Sequence, residues 1–158
     1  MNAAQLHLLL NHVPILGFCF AGLLMLAGLW RRSRDLQAAA LCTFVVAGVV
    51  SIAVFLSGEP AEEVVEHLPG VAEAAIGEHE EAAEVAFGLM LATGVAAGVG
   101  LAVGRVREAK WFPPALLALG AVAFVVVSWA GHLGGLIRHT EIGSGAPAAA
   151  GGHDEDAD

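Results

Sequence analysis

The sequence predicts an all-α integral membrane protein. The expected form is an antiparallel four-helix bundle with both termini outside and a short interfacial helix between the second and third spans. Three observations carry this expectation. The chain of 158 residues is 57% hydrophobic with a mean hydropathy of +0.72, well beyond an ordinary soluble domain. Four stretches, 13–30, 36–57, 85–104 and 111–131, carry no formal charge, and each has about the length a helix needs to cross the hydrocarbon of a bilayer. They are apolar on every side, whereas the helices of a soluble bundle alternate apolar and polar faces. Finally, six of the seven basic residues sit in two short connections: Arg31, Arg32 and Arg34, then Arg105, Arg107 and Lys110.

The first span is expected over about 5–30. No basic residue precedes it and an Arg cluster follows it, the reverse of a secretory leader, so it is expected to remain in the protein. Pro14 either kinks it or marks where its membrane-buried part begins. The short turn at Arg31–Asp35 makes the second span, about 36–57, its antiparallel neighbour. That span stops at Ser57-Gly58. An outer loop over 58–81 follows. Within it Pro60, Glu62 and Glu63 are good helix-starting chemistry, so 60–67 reads as a surface helix ended by Pro69-Gly70. The polar stretch 71–84 runs into the third span, about 82–104.

That third span carries Gly94 and Gly98, then Gly100 and Gly104, each pair at the spacing that lets helix backbones approach closely. The spacing serves packing inside the bundle or contact with a second copy. Pro113 and Pro114 open the fourth span, about 112–134. Trp30 and Trp111 are placed to anchor one membrane interface. Residues 1–143 thus form one transmembrane domain. The remainder, 144–158, reads as a disordered acidic tail. Cys19 and Cys42 lie in different spans at different depths and read as small packing residues.

The basic connections belong in the cytoplasm by the positive-inside rule. The expected location is therefore the bacterial inner membrane, multi-pass, with the lipid bilayer as the first partner. Apart from Asp35 and Glu108, every acid falls on the outer side, and so do all seven histidines. The charge rule explains the acids in part, but it says nothing about histidine.

Depth can be reckoned from the inner ends at ~1.5 Å per residue. His12 then lies about 27 Å up, and His132 and Glu84 about 31 Å. His7, Glu59, His79 and Glu80 make a layer just above, and His139 lies higher still. His7 and Asn11 share a helix face, while His7 and His12 are about 140° apart and cannot easily hold one ion. Singly, a histidine near a helix end is an ordinary hydrogen-bonded residue. Several His and Glu converging from four spans point instead to a metal or cofactor site. His67, His153 and the acids Glu62, Glu63, Glu66 and Glu73 read as solvated surface.

His7, His12 and Pro14, a histidine opening the third span (His79), and the segment "GGLIRHTEIG" after the fourth together resemble an uncharacterised bacterial family of small four-helix membrane proteins. There, His-Pro-x3-His-Phe-Pro opens the first helix and a Gly-Gly segment leading to His follows the last. His7, His12, His79, Gly134, Gly135 and His139 match. Leu8 and Val13 replace the family's Pro and Phe, and the loops here are richer in acids. The resemblance covers about residues 5–143. Relatives fused to Rieske iron–sulfur domains imply membrane electron transfer and haem.

Three functions follow as expectations. The first is b-type haem, with axial ligands drawn from His7, His12, His79, His132 and His139, the pair His12 and His132 among them, and Arg138 meeting a propionate. Its partner would be a basic periplasmic electron carrier such as a cytochrome c, steered by the acidic surface. The second is a divalent transition metal (Zn, Fe, Cu or Ni) held by His7, His12, Glu59, His79, Glu80 and Glu84 for binding, sensing or transport. No ionisable residue lies in the inner half of the spans, which disfavours transport. The third is a structural subunit of a larger membrane complex. A nucleic-acid partner is not expected of a chain with net charge −9. A hydrolase is not expected either, since GxSxG, HExxH, an intramembrane Asp pair and Glu-x-x-His are all absent.

Overall fold

The computed structural model describes residues 2–66 and 71–137. The described residues form helices and no strands, in the order α1 (Ala3–Trp30), α2 (Arg34–Leu56), α3 (Gly58–Val65), α4 (Glu73–Ala102), α5 (Gly104–Glu108) and α6 (Phe112–Leu136). α1, α2, α4 and α6 are long and apolar enough to cross a membrane. By length and composition this is a multi-pass membrane protein.

Local chemistry sets the helix ends. Asn2 and Gln5 form a reciprocal capping box, Gln5 N–H donating to Asn2 Oδ1 at 2.8 Å and Asn2 N–H to Gln5 Oε1 at 3.2 Å, which satisfies donors that a helix start leaves free. Pro14 sits inside α1 without ending it. Arg32 takes the left-handed conformation (φ 52°) in the turn to α2, and Ser33 Oγ caps α2 by accepting from Leu36 N–H at 3.3 Å. Pro113 and Pro114 lie in the first turn of α6, where no amide donor is needed. α4 begins at Glu73, so the polar stretch before the third span is itself helical. The five-residue α5, which the sequence did not suggest, carries Arg105 and Arg107. Arg34 and Glu108 meet at 3.6 Å on the surface, joining the two Arg-rich connections.

The long helices pack in a ring, α1 against α2 and α6, and α4 against α2 and α6. Along α1 and α2, Gly17 meets Ala47 and Gly28 meets Gln37. Small residues make this closeness possible. A Cβ on Gly48 would stand 3.1 Å from Gly94 Cα, and one on Gly94 3.3 Å from Gly48 Cα, so α2 and α4 touch backbone to backbone there. The rings of Phe112 and Phe44 fill the places where Gly100 and Gly120 would carry a Cβ. Gly94 and Gly100 are therefore used for packing within this chain. Phe18 and Phe44 meet edge-on at the centre, 5.3 Å apart at 68°. Outward, Leu16, Phe20, Val46, Val95 and Val125 are all more than half exposed, an apolar coat suited to lipid and not to water.

Candidate functional site

The α3 end of the ring encloses a cavity of about 380 Å³. Pro14, Ser51, Met90 and Val127 form its floor, and Phe55 and Phe87, stacked 4.3 Å apart at 10°, stand in its wall. His7, Glu59, Glu62, His79, Glu80 and Glu84 line its upper part. The volume lies in the range of small-molecule sites. α3 reaches this cavity because Ala61 is buried beneath it.

Each histidine at the cavity is anchored through one ring nitrogen. His7 Nδ1 lies 3.0 Å from Ser57 Oγ. The Ser57 hydroxyl already donates its single proton to Val54 O at 2.8 Å, so it accepts from His7 Nδ1–H. His79 Nδ1 lies 2.9 Å from Ala130 O. A carbonyl only accepts, so Nδ1–H donates. The His79 ring makes no other hydrogen bond among the described residues, and the His7 ring also bonds the Val54 backbone. Histidines that bind metals are held in this way, the far N–H tied to an oxygen. The two rings sit close enough to interact electrostatically.

Gly134 admits the His79 ring. A Cβ there would stand 3.0 Å from His79 Cε1 and 3.2 Å from Nδ1, whereas a Cβ on Gly135 would meet nothing within 4 Å. The two glycines of "GGLIRH" thus differ in purpose.

The other expected residues are distributed unevenly. Glu59, Glu80 and Glu84 line the cavity but are exposed. Glu62, read from sequence as plain surface, brings its carboxyl into hydrogen-bond contact with that of Glu80, with Glu59 and Glu66 nearby. His12 is exposed and turns away from the cavity; its Nδ1–H donates to Leu8 O at 2.8 Å. It lines an adjoining groove between α1 and α6. His132 is exposed beside Trp129, ring centroids 5.6 Å apart, and lines neither space. The structure therefore brings together His7 and His79, not His12 and His132. Arg138, His139, His67 and His153 lie outside the described residues.

Among the described residues no group of three or more His, Cys, Asp or Glu is arranged to hold a metal ion. Ser57 was not legible as a partner: it lies against His7 Nδ1, although it reads in sequence as a helix stop. Asn11, which shares a helix face with His7, has its Oδ1 buried without a hydrogen bond. Cys19 and Cys42 are free thiols.

Comparison with family models, curated proteins and solved structures finds no match for this chain.

Proposed function

We propose that the chain is a bacterial inner-membrane protein that binds b-type haem in the His7–His79 cavity and serves membrane electron transfer. In this reading the four spans form an antiparallel bundle, with both termini and the 58–81 connection on the outer side. One observation carries the proposal: two imidazoles, His7 from α1 and His79 from α4, line one cavity, each oriented by a hydrogen bond between Nδ1 and an oxygen. Haem requires two axial donors and an apolar slot, whereas a bare divalent ion requires a larger donor set. The donor set fits on that count.

His7 and His79 would hold the iron, and a bound haem would supply one-electron chemistry. Ser57 and the Ala130 carbonyl fix the ring orientations and tautomers. The apolar floor keeps water from the lower cavity. The described lining contains no Lys or Arg, and the sequence offers Arg138 as a counter-charge for a propionate. The acids around the mouth favour a basic redox partner.

The test is an absorption spectrum of detergent-purified protein produced with a haem supply. A Soret band is expected, lost in both His7→Ala and His79→Ala and retained in His132→Ala. No Soret band rules the reading out. Bound transition metal without a Soret band would favour the divalent-ion alternative.

A further inference from the structure

The groove between α1 and α6 adjoins the His7–His79 cavity, and Leu8, Asn11, Ile15 and Gly131 line both. Asn11 and His12 on α1 face Ser128, Gly131 and Gly135 on α6 across it. Ile15 closes one side: a Cβ on Gly131 would stand 3.3 Å from its Cδ1. Three polar groups in this groove lack partners among the described residues. Asn11 Oδ1 is buried without a hydrogen bond. His12 commits Nδ1–H to Leu8 O, which leaves Nε2 as an acceptor. The Ser128 hydroxyl takes part in no hydrogen bond. Uncommitted polar groups are costly on a face that meets lipid, and they mark functional positions there.

We infer that this groove binds the headgroup of a lipid-soluble quinone or quinol. Two acceptors, Asn11 Oδ1 and His12 Nε2, suit the hydroxyls of a quinol, and the Ser128 hydroxyl suits a quinone carbonyl. Gly131 and Gly135 provide a wall without side chains, against which a planar ring can lie. Among the described residues no Lys or Arg lines the groove, which suits an uncharged headgroup.

The test uses haem-free full-length protein in lipid nanodiscs, with Trp30→Phe and Trp111→Phe leaving Trp129, next to Ser128, as the only one of the three tryptophans. Decylubiquinone is titrated and Trp129 fluorescence read. Saturable quenching is expected. Asn11→Leu with Ser128→Ala raises the half-saturating concentration about tenfold, the loss of one or two hydrogen bonds. Gly135→Leu, whose Cβ meets nothing within 4 Å, adds bulk at the groove and does the same, with an unchanged circular-dichroism spectrum showing that the bundle still folds. Quenching that grows linearly with added quinone overturns the inference. So does indifference to Gly135→Leu, or equal displacement by decanol, which has a hydroxyl but no ring.

Discussion

Gly134→Ala and Gly135→Ala are neighbouring substitutions in one helix, yet they should act in opposite directions. Replacing a helical glycine by alanine ordinarily gains about 0.5–1 kcal/mol from reduced chain entropy. Gly135→Ala should show that gain, since its Cβ enters open space. At Gly134 the new Cβ would stand 3.0 Å from His79 Cε1 and 3.2 Å from Nδ1. The ring must move by a few tenths of an ångström, and it is tied to Ala130 O at 2.9 Å. Displacing it weakens that bond, worth ~0.5–1.5 kcal/mol, and adds overpacking of ~1–3 kcal/mol. The net expectation is a loss of about 1–2 kcal/mol, so the two variants should differ by about 2 kcal/mol. Reversible unfolding of the purified protein in mixed micelles reads both. In a His79→Ala background, Gly134→Ala should become neutral or stabilising, because the ring it strikes is gone. If Gly134→Ala stabilises as much as Gly135→Ala, or if removing His79 leaves its effect unchanged, the docking of His79 on α6 is wrong.

Other expectations follow from the same packing. Gly48→Ala aims a Cβ at Gly94 Cα (3.1 Å) and Met90 O (3.2 Å), both backbone atoms that cannot swing aside; a loss of about 2–3 kcal/mol is expected in the same unfolding assay. Phe44→Ala empties the centre between Phe18 and Gly120 and should cost about 3–5 kcal/mol. Glu108→Gln breaks only the exposed Arg34 pair, and its effect should stay below about 0.5 kcal/mol. Alkaline phosphatase fused after Glu66 should be active and after Lys110 inactive, with fluorescent-protein fusions showing the reverse pattern; the opposite result inverts the proposed orientation.

The histidine-rich face of the sequence resolves into separate environments. Depth reckoning placed His12 and His132 at one level, which treats a helix as a line. The structure adds the angle around each helix. His12 turns into the α1–α6 groove and His132 rests beside Trp129. His7 and His79, which the sequence put in the upper layer, share the cavity. Angle is hard to read from these segments because they are apolar all round. A soluble helix announces its buried face by a polar opposite face, and a lipid-facing helix has no such contrast.

The sequence by itself determined the four membrane-length helices, since length and apolarity are local quantities that any 20-residue window holds. It also showed the sorting of basic and acidic residues between connections. Only the tertiary structure decided which polar groups meet. His7 finds Ser57 and His79 finds Ala130 across 50 and 51 residues of chain. Those meetings depend on how near the backbones come, which is set where Gly48 touches Gly94 and where Gly134 leaves room for an imidazole. A missing side chain carries no polarity of its own, so its effect appears only when the opposing helix is in place.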